Sequence, residues 1–311
     1  MPANVGTIWN LPNFYGDLYT ASPQNTPLLA MIGGLNGGKI SPNFEFPTSI
    51  GYALAAPGQN VVTENAAFGA PAATSIARAE VNNTCQIQHL AVRVSYQKMA
   101  NMARLGGLAT AGVSPNVNDE LAWQIEQHLK QMANDIEWSF VQGTYVQATA
   151  SNVAGQTRGM DEVITDSGTN ENAGGLALTR AHLQTLFAGM FTAGAPFTDV
   201  ILYCNAQYKQ EISDIYGFAP ADRFVGGLNI QQIETDFGRV GVVPSRYAPA
   251  ATVLAIDISV VSPVFQEIPG KGLLFYEELS KIGAGEVGQL YGHVGLDHGP
   301  GFMHGRIFDL A

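Results

Sequence analysis

The chain has 311 residues, enough for two domains or one large one with extensions, and its net charge of −11 has the wrong sign for gripping nucleic acid through phosphates. Hydrophobic residues make up 46% but charged residues only 13%, about half the usual ~25% of soluble proteins; much of the surface is therefore expected to be covered, most simply by other copies of the chain. No run of about 18 apolar residues exists to cross a membrane, no basic-then-apolar leader opens the chain, and Cys85 and Cys204 match no metal or redox spacing, which suits a reducing compartment.

Residues 1–40 hold one acid, Asp17, and one base, Lys39. Trp9, Leu11, Phe14, Tyr15, Leu18 and Tyr19 are too aromatic for a solvated tail, and Pro2, Pro12, Pro23 and Pro27 discourage a long helix. The expectation is an extended arm lying on an apolar surface, then a short helix from Thr26 to Ile32 with Thr26 as cap and Pro27 at its first position. Phe44 and Phe46 alternate with Asn43 and Glu45 as in a strand, after which Ala, Gly, Pro and Asn dominate until an extended run resumes near Thr74. About forty residues with so little to bury read as a projecting hairpin, with legs of up to ~22 residues at ~3.3 Å each.

Cys85 to Tyr96 alternates with Leu90, Val92, Val94 and Tyr96 on one face; Cys85 and Ile87 fall on the opposite phase, which predicts a bulge or twist near His89. A short helix from Tyr96 to Leu105 follows, with Met99, Met102 and Leu105 spaced for burial. The longest element is the helix from Asn118 to Gly143. Leu121, Ile125, Leu129, Met132, Ile136 and Phe140 recur every three or four residues, a stripe held for six turns or more and roughly 36 Å. Asn118 is its expected cap, Asp119 and Glu120 complement the dipole, Gly143 is its stop, and its acids read as a solvated face. Beyond a polar segment, Thr179 caps a helix with a core stripe of Leu183, Leu186, Phe187, Met190 and Phe191. Val200–Cys204 reads as a buried strand, Asn205 caps a helix with Tyr208, Ile212 and Ile215, and strands are predicted at 241–243, 252–256 and 273–276. One or two more fill 286–310. The layout is α+β without repeats.

Chemical signals are weak. GGLNGGKIS spaces Gly33, Gly38 and Lys39 like a phosphate loop, but Ile40 stands where Ser or Thr should bind magnesium, and a glycine-rich turn explains it more simply. His293, Asp297, His298 and His304 form a cluster that a metal-dependent enzyme would use; they are interleaved with Gly292, Gly295, Gly299 and Gly301, so strand-and-turn placement is the preferred reading. No nucleophile elbow occurs. No catalytic, cofactor or metal residue is assigned.

The order of parts is more informative. NFYGDLYTASPQNTPLLAMIGG (13–34), NNTCQIQHLAVRVS (82–95), DELAWQIEQHLKQMANDIEWSFVQG (119–143), TRGMDEVI (157–164) and MHGRIFDL (303–310) resemble the major capsid proteins of tailed bacteriophages, which share the Hong Kong 97 fold, and most of all the SU-ten-type major head protein family. The resemblance covers most of the chain. It implies an N-terminal arm (1–40), an extended E-loop (41–84), a peripheral P-domain (85–159) with the spine helix at 119–142, an axial A-domain (160–284), and C-terminal strands (285–311) returning to the P-domain. It also implies a structural protein, without enzymatic activity or cofactor, that assembles with itself into pentameric and hexameric capsomers of a virion shell. The shell would be built in the host cytoplasm and would enclose DNA without binding it specifically. Scaffolding, portal and decoration proteins are the further partners implied. Inter-subunit contacts are expected from Trp9, Phe14 and Tyr15 of the arm and from Phe44, Phe46, Tyr52, Leu54 and Phe68 of the loop. Met1 directly precedes the arm, so a separate scaffold is expected, and residues 40–97 lack lysine, so the lysine–asparagine cross-link of some relatives has no nucleophile here. An encapsulin-like nanocompartment is the rival within the fold, and the metal-dependent enzyme the rival outside it.

Overall fold

A computed structural model describes residues 25–311 except 36, 53, 55, 56, 60, 71–74, 101–119, 217–220, 226, 227 and 282. The expectations for Trp9, Phe14 and Tyr15, for the Asn118 cap and for Met102 and Leu105 lie outside the described residues.

Helix α1 (Pro27–Met31) starts with proline at its first turn, as the sequence predicts, yet Thr26 makes no side-chain cap bond. The two-residue strand β1 (Lys39–Ile40) follows, and then β2 (Glu45–Tyr52) and β3 (Arg78–Thr84) pair as an antiparallel hairpin that forms its own two-stranded sheet. The paired legs are eight and seven residues long, within the expected upper bound of ~22. Between them lies one turn of helix, α2 (Glu64–Ala67), capped by the Thr63 hydroxyl.

Strand β4 (Gln86–Ser95) keeps unbroken register with β13 (Gly285–Asp297), so the expected bulge at His89 is absent. Even-numbered Gln88, Leu90, Val92 and Val94 face inward and Ile87 is exposed; Cys85 is buried because it lies between β3 and β4, outside the strand's alternation. One edge of β13 carries β4. The other carries β12 (Leu274–Glu278) and then β11 (Ser262–Gln266), with β1 parallel to β11.

A second sheet has seven strands in the order β5 (Thr169–Leu176), β14 (Gly305–Leu310), β10 (Val253–Asp257), β6 (Val200–Cys204), β9 (Gly238–Pro244), β8 (Leu228–Thr235), β7 (Ala221–Val225). The C-terminal stretch therefore divides. β13 joins the sheet of β4, whereas β14 pairs with β10 and β5, where Ile307 enters the second core. Conversely β11 and β12, from the segment assigned to the A-domain, belong to the sheet of β13.

Helix α3 (Tyr96–Ala100) follows β4, and the spine helix α4 (Glu120–Gln142) links the two sheets. Met132, Ile136 and Phe140 are fully buried in a cluster that takes Ile201, Tyr203, Leu254 and Ile256 from the seven-stranded sheet and Phe265, Leu290 and Val294 from the other. The alternate residues Val200, Leu202, Val253 and Ala255 face a second cluster on the opposite side, formed with α6 (Arg180–Ala193) and α7 (Ala206–Tyr216). Both faces of β6 and β10 are thus covered, which is why these strands read as continuous apolar runs. Helix α6 begins at Thr179, whose hydroxyl accepts from the His182 amide, and stops at left-handed Gly194. Its stripe ends at Met190, and Phe191, expected in the core, is exposed. Earlier in the chain, α5 (Met160–Ser167) packs Met160 and Ile164 into the first cluster.

Candidate assembly surfaces

The hairpin is fastened at one end and bare at the other. Asn83, fully buried, donates to the carbonyls of Leu296 (2.7 Å) and Arg158 (3.3 Å), and its carbonyl accepts from the amides of Arg158 (2.7 Å) and Thr84 (2.9 Å). This set uses both ends of the amide, the condition for burying an asparagine without penalty. Glu45 accepts from Gln147 (2.9 Å) and Tyr145 (3.4 Å). Phe46 packs with Cys85 and Val264, and Gly295 opposite it has no room for a Cβ, which would stand 2.9 Å from the ring and from the Thr84 carbonyl oxygen. Phe46, expected at an inter-subunit contact, is therefore spent inside its own chain. Toward the tip the case reverses. Tyr52, Leu54, Val62 and Ile76 are exposed, with Val61 at 82% and Phe68 at 85%; Phe44, at the base, is also exposed.

The first half of α4 is a second open surface. Ile125 and Leu129 are only partly buried and Leu121 is intermediate, in contrast to Met132, Ile136 and Phe140. Leu35, Leu129, Ala133, Leu273 and Leu274 line a groove of about 410 Å³ beside the Glu126–Lys130 pair. Trp138 on α4 is exposed, and so is Phe191 of α6, expected in the core stripe; its ring lies 5.3 Å from half-buried Phe237, which stands 5.6 Å from half-buried Phe197. No periodic signal marks them, since an exposed aromatic in a stripe looks like a core one.

The acids of α4 are not all solvated. Glu137 is fully buried and accepts from the amides of Leu28 (2.9 Å) and Leu29 (2.7 Å) and from the Tyr203 hydroxyl (2.8 Å), which Ser245 approaches at 2.6 Å. It caps α1 in place of Thr26 and ties α1, α4 and β6 together. Burial raises its pKa, opposed by the two amides and the tyrosine.

The chemical candidates find structural partners. Lys39 pairs with Asp297, and Gly38 has φ of +127° with Pro263 pressed against it. His293 bonds Tyr291 and Gln266, both at 2.8 Å. His304 accepts from the Asp257 amide at Nδ1 (3.1 Å) and so donates from Nε2 to the His298 carbonyl (2.8 Å). Among the described residues no group of three or more His, Cys, Asp or Glu is arranged to hold a metal. Cys85 and Cys204 are free and buried, each thiol pushed up to about 12 by desolvation. Among the described residues no helix is long and apolar enough to cross a membrane.

The family model of the SU10 major capsid protein matches residues 1–311. No curated protein sequence matches the chain. Among solved structures, the chain is similar to the capsid protein of cyanophage A-1(L), with TM-score 0.60 and 13% identity over 99% of this chain and 98% of that one. It is similar also to the capsid of cyanophage P-SCSP1u (0.56, 12% identity, 97% and 93% covered) and to the SrpI encapsulin of Synechococcus elongatus (0.55, 14% identity, 95% and 92% covered). At these identities the likeness is one of fold, the Hong Kong 97-like capsid fold. With the whole length matched by one family and the fold shared with phage shells, the chain belongs to the SU10 major capsid protein family, as a shell-forming structural protein of the virion that self-assembles in many copies.

Proposed function

We propose that the subunit acts without enzymatic chemistry and that its β2–β3 hairpin is the E-loop, lying on a neighbouring subunit of the head shell. The observation that carries this is the contrast between the buried base of the hairpin at Asn83 and the exposed apolar side chains toward its tip. Burying such a side chain stabilises by roughly 1.5–3 kcal/mol, whereas ordering each residue's backbone costs about 1–2 kcal/mol. The few large side chains between Gly51 and Arg78 cannot offset that cost from contacts of their own, so a neighbour must supply the rest. In the same reading the seven-stranded sheet with α6 and α7 is the A-domain around capsomer axes, and α4 with the sheet of β13 is the P-domain. Assembly takes place in the host cytoplasm, with scaffolding, portal and decoration proteins as partners, and the acidic subunit encloses DNA without gripping it.

Replacing residues 53–77 with an Asn-Gly turn, which closes a two-residue hairpin without strain, tests the proposal. A soluble protein with its helical circular dichroism intact but no closed particles on sedimentation is the expected result. Normal-sized shells would refute the E-loop role, and an unfolded subunit would show that the segment belongs to its own core. The similarity to the SrpI encapsulin supports a second reading, a shell for protein cargo; purified particles containing a protein passenger instead of nucleic acid would favour it.

A further inference from the structure

The β2–β3 ladder is interrupted at one place. Glu45, Phe46 and Pro47 pair with Thr84, Asn83 and Asn82, and Ser49 to Tyr52 pair with Val81 to Arg78; Thr48 is the extra residue, a bulge with no partner in the ladder. Below it, Asn83 and Phe46 are locked into the body. Above it, the hairpin forms no ladder with any other described strand. Pro47, next to the bulge, has no N–H to give the ladder, so the ribbon is weakest where it leaves the protein.

The hydroxyl of Thr48 stands between two acceptors, the Val81 carbonyl across the hairpin at 2.9 Å and Nε2 of His298 on the body at 3.1 Å. His298 is buried, with Nδ1 2.7 Å from the Gly299 carbonyl, so Nδ1 carries the ring proton and Nε2 of the neutral ring can only accept. A hydroxyl has one proton. With His298 neutral it serves either Val81 or His298, never both.

We propose that Thr48 and His298 form the hinge that sets the angle at which the hairpin leaves the body. With His298 neutral, the hinge exchanges between a hydrogen bond within the hairpin and one to the body. A proton taken by Nε2 turns that nitrogen into a donor to Thr48 Oγ1 and frees the threonine proton for Val81; both bonds then form together and the angle is fixed. The charged groups around His298 are Asp297 at the end of the same strand, itself paired with Lys39 of β1, Arg158 from the segment before α5, and His304, which donates to the His298 carbonyl and is backed by Asp257 of β10. Burial and Arg158 lower the His298 pKa, and the Gly299 bond and Asp297 raise it, with burial the larger effect. The ring is therefore neutral near pH 7, and acidification is the locking direction.

This inference rests on the assembly role proposed for the hairpin, but its test reads an angle inside one chain and is independent of whether shells close. Spin labels on Ala66→Cys in α2 and Gln184→Cys, exposed on α6, report the hairpin-to-body distance by pulsed electron resonance in the full chain diluted into unlabelled chain. The buried native thiols stay unlabelled. The distance distribution should narrow by about half or more from neutral pH to the lowest pH at which circular dichroism stays native. Thr48→Val should stay broad throughout, Thr48→Ser should restore the response, and His298→Gln should abolish it. Identical distributions for Thr48→Val and wild type at the acid end, a wild-type distribution indifferent to pH, or narrowing that survives His298→Gln and so belongs to His304, would each overturn the proposal.

Discussion

His304 shows how one side chain can tie stability to pH. Its tautomer is set by the Asp257 amide pointing at Nδ1, and with burial as the first cause its pKa falls from 6.5 to about 4. In the unfolded chain the ring takes its proton near the ordinary value, in the folded chain only near 4. Between those values the unfolded state binds more protons, so the stability this residue contributes is present above about 6.5 and is lost as pH falls toward 4, about 3 kcal/mol in all. Denaturant melts across that window should show the loss, and His304→Asn, which keeps an acceptor for Asp257 but cannot titrate, should flatten it by about that amount. An equal slope in the two proteins would mean that other groups carry the acid response. At this scale the sequence was a poor guide. The His/Asp cluster is visible as a cluster, but that His304 meets an amide 47 residues away is a fact of folding, not of spacing.

At the scale of elements, Glu137 is the joint between the arm helix, the spine and the seven-stranded sheet. Glu137→Ala would leave two amides of α1 without their acceptor, at ~1–3 kcal/mol for each buried orphan, while the Tyr203 hydroxyl could still donate to Ser245. The expected outcome is a fall in Tm of roughly 5–10 °C, with hydrogen exchange faster at residues 27–32 and unchanged in α7. Unchanged exchange in α1 would show that apolar packing of Leu28 and Leu29 suffices to hold it. Elements with a strong period were legible beforehand: α4, α6, α7 and the wholly apolar β6 all lie where the apolar spacing places them. Elements without one were missed. β5, TNENAGGL, is an edge strand, and β11, SPVFQ, is short and contains proline; neither carries an alternation that distinguishes it from a loop. The bulge was expected at His89 because two apolar residues there share a parity, yet Ile87 is simply exposed, and the real bulge at Thr48 leaves no mark on the hydrophobic pattern.

For the whole molecule, the question is how copies are held together. Residues 40–97, which include the hairpin, contain no lysine, and Lys39 is paired with Asp297, so an isopeptide link from the hairpin has no amine to start from. Cohesion must come from apolar area buried at many contacts. Boiled particles should run as one band near 33 kDa on a denaturing gel, and a ladder of multimers would contradict this.

Composition, local period and the order of the parts were enough for the α+β class, the long spine helix, a surface poor in charge and the capsid family. These follow from local period and composition, which need no knowledge of what meets what. It took the folded chain to show that β14 leaves β13 for the other sheet, that Phe46 is spent in its own core while Phe68 is bare, and that Glu137 is buried rather than solvated. Each of these depends on which residues far apart in the chain, 109 positions in the Leu28–Glu137 bond, are brought within hydrogen-bonding or packing distance, and a one-dimensional pattern carries no record of that pairing.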